Sequence, residues 1–176
     1  MEILAILLQP HVMVVIAISV VMAALLPHRR ARARSEALAS RSPAMAELAK
    51  TLDGSLSGQG QAGAWSPRLQ RSKPEAELSL DFRHGPWHVR VTEACNPKPR
   101  FTEALLEYEH CIEIATMVPP RKMRLEFFSL SFEDGFVHTV CQGQVRPDEL
   151  VFLVDMILET LDLMPGVEPR DPTAVV

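Results

Sequence analysis

The sequence predicts an α+β chain: an N-terminal single transmembrane helix, then a small antiparallel β-sheet domain of two hairpins plus a strand, covered by a C-terminal helix. Three observations carry this. Ile3 to Leu26 contains no Asp, Glu, Lys or Arg. Paired runs of alternating apolar and polar residues, joined by turn sequences, occupy 78–91 and 123–144. A final apolar-periodic stretch opens at Pro147 and stops at Pro165 and Gly166. The expected divisions are 1–28 as transmembrane anchor, 29–54 as a basic juxtamembrane helical segment, 55–74 as a flexible linker, 75–166 as the α+β cytoplasmic domain, and 167–176 as a loose tail.

The first element rests on length. At about 1.5 Å per residue, the roughly 24 residues from Ile3 would cover about 36 Å as a helix, against about 30 Å of hydrocarbon. Cationic residues beside a span stay on the cytoplasmic side. Only Glu2 charges the leading side, whereas Arg29, Arg30, Arg32, Arg34 and Arg41 follow. The expected topology is single-pass in a bacterial-type inner membrane, N-terminus outside, domain in the cytoplasm. A secretory signal has the opposite charge order and a small-residue cleavage site, which AALLPHRR does not offer. Arg29, Arg30, Arg32 and Arg34 are expected to meet anionic lipid headgroups. Gln9 and His11 are polar intrusions into the run, with Pro10 between them, and are expected either to dock against a partner span or to approach the outer interface as the helix tilts.

Ser42 and Pro43 read as the cap and first position of a second helix, Pro43 to Leu52, with Gly54 as its stop. Ser55 to Pro74 is rich in Gly, Ser and Gln and predicts a linker, in which only Trp65 and Leu69 are large and apolar. Leu78, Leu80 and Phe82 alternate with Glu77, Ser79 and Asp81, and Trp87, Val89 and Val91 return after a turn at 83–86. The stretch 101–117 fits helix and strand periods alike. Its β-branched second half favours a strand over 107–117. Met123 to Phe132 alternates with a change of parity at Phe128, predicting one strand with a bulge or with burial on both faces. Asp134-Gly135 makes the turn to a strand over 136–144. In the last helix Asp155, Glu159 and Asp162 share one face, with Leu150, Leu153, Val154, Ile157, Leu158 and Leu161 mostly on the others.

Charge is divided along the chain. From Thr51 onward there are twelve Lys and Arg against nineteen Asp and Glu, a net of −7, while 29–50 carries +4. An acidic body is repelled by phosphate backbones, so nucleic acid is not an expected partner. Cys95, Cys111 and Cys141 are odd in number and irregularly spaced, which suits reduced thiols better than a disulfide set.

No Gly-rich phosphate loop, nucleophile elbow, HExxH or CxxC is present. His84 and His88 are separated by Gly85-Pro86, which prevents a helix from aligning them as metal ligands. His110 and Cys111 on one strand, and His138 and Cys141 on another, cannot all share a face; one His and one Cys can meet across strands. Glu107, Glu109 and Glu113 fall on one side of their strand and read as a solvated face. The sequence thus implies no catalysis and no cofactor or metal. Its expected partners are the lipid bilayer and a protein, for example an integral membrane complex, with Asp155, Glu159 and Asp162 offering a surface for basic groups. The alternative is a tethered ligand-binding module with a pocket wall between Trp87, Phe127 and Phe136.

Overall fold

A computed structural model describes residues 10–72, 76–97, 106–117, 121–124, 129–133 and 135–173. It begins with one long helix, α1, Pro10–Thr51. Pro27 and Pro43 both lie inside α1, so the break expected at Ser42-Pro43 does not occur. α1 ends where Gly54 N–H donates to the Ala49 carbonyl at 2.8 Å and Asp53 takes φ 51°. The chain then reverses into strand β1, Ser55–Gly58. A short helix α2, Pro67–Ser72, follows. Next come β2 (Ala76–His84), β3 (Trp87–Pro97), β4 (Leu106–Met117), β5 (Arg121–Arg124), β6 (Ser129–Glu133) and β7 (Phe136–Gln142). Helix α3, Pro147–Asp162, and a two-residue strand β8, Glu168–Pro169, complete the order.

The expected N-terminal transmembrane helix is corrected. Among the described residues, no helix is long and apolar enough to cross a membrane. The expectation counted from Ile3, and 3–9, Gln9 included, lies outside the described residues. Within α1 the apolar run Val12 to Leu26 would cover only about 22 Å, short of about 30 Å of hydrocarbon. It is bounded by Pro10 and His11 on one side and Pro27, His28 and Arg29 on the other.

The sheet is larger than two hairpins and a strand. Its order is β1-β2-β3-β4-β7-β6-β5, antiparallel at every step, and β8 pairs with the end of β4. Three differences account for the gain. β1 pairs with β2, Leu56 facing Leu80, although its Ser-Leu-Ser-Gly sequence carries almost no strand signal. The single strand expected from Met123 is two strands, with β5 pairing β6 in the register Met123 to Leu130. The expected loose tail is tied down, Arg170 N–H donating to Ala115 O at 3.2 Å and Thr116 Oγ1 to Glu168 O at 3.0 Å. Gly135, at φ 79°, makes the turn from β6 to β7, a conformation that favours a residue without Cβ.

Both faces of the sheet are covered. Leu78, Leu80, Val89, Val91, Ile112, Ile114, Phe132 and Val137 meet Met45 and Ala49 of α1 and Leu150, Val154, Ile157 and Leu161 of α3. The opposite face lies beneath 59–72, part of the stretch 55–74 expected to be a flexible linker. Leu69 and Ala64 pack there against Cys111. This strap replaces water over the second face, and for that reason side chains expected to be solvated are buried.

Candidate functional site

Three carboxylates from strands are almost wholly enclosed: Glu77 and Glu113 are 0 % exposed and Glu93 is 1 % exposed. A buried carboxylate must be paired and hydrogen-bonded or give up its charge. Two of the three are met by α1 and the third by 65–66, and together they organise the molecule.

Glu93 continues the inward alternation of Val89 and Val91 and so faces α1. The Arg41 guanidinium grips it with both terminal nitrogens, Nη2 donating to Oε2 at 2.6 Å. Val145 N–H donates to the same Oε2 at 2.7 Å, and Arg41 Nη2 reaches the Val145 carbonyl at 3.2 Å. One carboxylate thereby ties α1, β3 and the β7–α3 connection. Glu77 sits at the bulge where the β2–β3 register shifts between Ala76 and Leu78, and Arg34 of α1 donates to it. A bulge releases a residue from strict alternation, which explains how Glu77 leaves the face expected from its phase with Ser79 and Asp81. Arg34 and Arg41 are seven apart, two helical turns, and therefore share one side of α1.

Between the two ion pairs lie Tyr108 and Cys95. The Arg41 guanidinium carbon is 5.5 Å from the Tyr108 ring centroid. Burial pushes the Tyr108 phenol up to about 12, and the neighbouring Cys95 and Glu77 add to it. The Cys95 thiol is raised mainly by burial and next by Glu77. Both groups are neutral at physiological pH, and neither is an activated nucleophile.

The anticipated cross-strand His–Cys meeting does occur: His110 and Cys141 are directly opposed on β4 and β7. Both line a cavity of about 490 Å³ closed by Arg146, Glu149 and Leu150 at the start of α3. His110 Nδ1 is 3.0 Å from the Gly143 carbonyl. Burial raises the Cys141 thiol, partly offset by a Thr139 hydrogen bond. A thiol held protonated does not attack at neutral pH. Among the described residues, no three His, Cys, Asp or Glu are grouped to hold a metal.

Glu113 serves the strap. Its two oxygens accept Trp65 N–H and Ser66 N–H, each at 2.8 Å. Burial raises its pKa, and those two hydrogen bonds and Arg90 oppose the rise. Arg90 clamps Asp81, donates to the Gly63 carbonyl at 3.0 Å, and lies 4.6 Å from the Trp65 ring centroid. Trp65 also stacks on Phe136, centroids 5.8 Å apart.

The residues singled out from the sequence fall in different places. Gln9 is outside the described residues, and His11 is described only as helical backbone. Arg29 is exposed, and nothing is described of the Arg30 side chain. Arg32 is solvent-facing and pairs with Glu36 one turn along at 2.7 Å. Arg34, expected at lipid headgroups, instead turns to the sheet and Glu77. Asp155 meets His84 Nε2 at 2.9 Å, while Glu159 and Asp162 are exposed. The expected pocket wall does not form: Trp87 belongs to the core beneath the helices, Phe136 lies under Trp65 on the other face, and Phe127 is outside the described residues. Arg41, Glu93, Glu77 and Glu113 were missed. A signal existed for two of them: Glu93 occupies a core-phase strand position, and Arg41 repeats Arg34 after two turns.

No protein-family model, curated protein or solved structure matches this chain. The functional reading therefore rests on geometry.

The most conspicuous unsatisfied surface is on α1, N-terminal to these clamps. Met13, Val14, Val15, Ile16, Ile18, Val20, Val21 and Leu25 are 41–63 % exposed. Consecutive residues point to all sides of a helix. Among the described side chains of the segment, exposed apolar groups therefore point to every side, with Ser19 an exposed polar residue between them.

Proposed function

We propose that the chain is an accessory interaction protein, its sheet domain a rigid base and the first half of α1 a probe that inserts among apolar helices of a protein complex. The observation that carries this is the all-round exposure of Val14, Ile16, Val20 and their neighbours. Contiguous exposed apolar surface of this kind marks interaction sites. A partner that covers it on several sides must bring more than one apolar element, as the helices of an integral membrane complex do. The clamps at Arg34–Glu77 and Arg41–Glu93 support the same reading, since they hold the second half of α1 against the sheet and fix where the first half points. The exposed carboxylates Glu159 and Asp162 on α3 offer a second, polar contact for a basic surface.

The test places photo-crosslinking residues at Val14 and at Ile16 in the full chain, inside intact cells. These positions face different sides of α1. Discrete protein adducts from both, lost when Val20 becomes Asp, are the expected result. Adducts to lipid alone, or none, overturn the proposal.

A further inference from the structure

The strap does not fill the face that it covers. Between it and the sheet lies a cavity of about 380 Å³, lined by Ala62, Ala64 and Leu69 from the strap and by Ala76, Ala94, Cys111 and Val140 from the strands. Small-ligand pockets span roughly 300–1,000 Å³ and are mainly apolar with a few convergent polar groups. The void has a simple origin. Ala76 and Ala94 are directly opposed across β2 and β3, and methyl groups there leave a hollow where larger side chains would fill the layer.

A second, independent observation concerns Thr92. It lines this cavity and is 7 % exposed, and its hydroxyl is buried without a hydrogen-bond partner. Leaving such a group unmet costs about 1–3 kcal/mol. The hydroxyl does not open onto the cavity in this rotamer; a turn about χ1 would bring it toward the cavity, which Gln70, Glu109 and His110 also line. The charge of the surroundings narrows the choice. Glu109 stands at the cavity and Glu113 lies on the same face of β4, so a carboxylate or phosphate ligand would be repelled.

We propose that the pocket under the strap binds a small, uncharged, mainly apolar molecule carrying one hydroxyl or carbonyl, which pairs with the Thr92 hydroxyl once that side chain turns toward the cavity. The strap is its lid. Glu113 and Arg90 hold that lid at Trp65, Ser66 and Gly63, immediately beside Ala64. This site is separate from the exposed α1 surface and lies across the sheet from α1 and α3.

The test titrates the full chain with 1-octanol, octanoate and toluene, following Trp65 fluorescence and melting temperature. Trp87 sits on the opposite face and provides a constant background. Octanol is expected to saturate the signal and raise the melting temperature, with octanoate at least tenfold weaker. Thr92→Val should weaken octanol several-fold, up to about tenfold, and leave toluene unchanged. Ala94→Phe fills the hollow and should abolish binding of both; if that variant does not fold, Ala64→Leu fills it from the strap side. Absence of saturation by octanol, equal binding of octanoate, or undiminished octanol binding in the filled variant overturns the proposal.

Discussion

Arg41 and Glu93 lock α1 to the sheet through a guanidinium fork on a carboxylate that is 1 % exposed and also accepts the Val145 amide at 2.7 Å. The Arg41 side chain is itself only 16 % exposed. Removing one partner leaves the other charge buried, which costs about 3–5 kcal/mol. Arg41→Met should therefore lower stability by about 3 kcal/mol or more, read as a shift in the urea midpoint at constant m-value. Arg41→Met combined with Glu93→Leu should recover much of the loss, since an apolar pair no longer strands a charge.

Arg32 is the matched control. Its pair with Glu36 is solvent-exposed on both sides, and exposed pairs contribute little. Arg32→Ala should leave the urea midpoint where it is. A large shift would show that the N-terminal part of α1 carries contacts beyond those described.

Glu113 predicts a pH dependence with a definite sign. Burial raises its folded-state pKa above the ordinary glutamate value of 4.5. A raised carboxylate favours the protonated form in the folded state, so its contribution is full below about 4.5 and is lost as pH rises through the folded value. The difference in stability between the wild type and Glu113→Gln should change in that window, the wild type losing ground as pH rises. A difference independent of pH would contradict the burial of this group.

Tyr108 is the only tyrosine in the chain, so phenolate absorbance reports it alone. In the folded protein it should ionise near 12, displaced upward chiefly by burial. In denaturant it should return to about 10. Among the described residues, its buried hydroxyl has only the Cys95 thiol, a weak hydrogen-bonding group, beside it, so Tyr108→Phe should change thermal stability by less than about 1 kcal/mol.

Gly54 lets the chain turn from α1 into β1 at close quarters. A Cβ there would overlap the Asp81 carbonyl and come within 2.9 Å of Phe82 Cβ. Gly54→Ala should cost about 1–3 kcal/mol through overpacking. Amide exchange in β1 should rise further than elsewhere, because that strand is placed by this turn.

Periodicity carried the local elements. Leu78, Leu80 and Phe82 against Trp87, Val89 and Val91 announced the first hairpin, which runs Ala76–His84 and Trp87–Pro97. The strand expected over 107–117 runs Leu106–Met117, its β-branched residues deciding the ambiguity. Pro147 and the acidic first turn announced α3, which runs Pro147–Asp162. These signals are visible because each element buries one face of its own period.

What the residues dictate by themselves is therefore local: where strands and the last helix form, and which of their sides are apolar. Folding alone decided that Ser55–Gly58 becomes an edge strand, that 59–72 becomes a strap, and that Arg34 turns to Glu77 rather than to lipid headgroups. Whether a polar side chain is solvated depends on what crosses above it, and that partner is distant in sequence. Glu113 and Trp65 are 48 residues apart; no window of local pattern contains both.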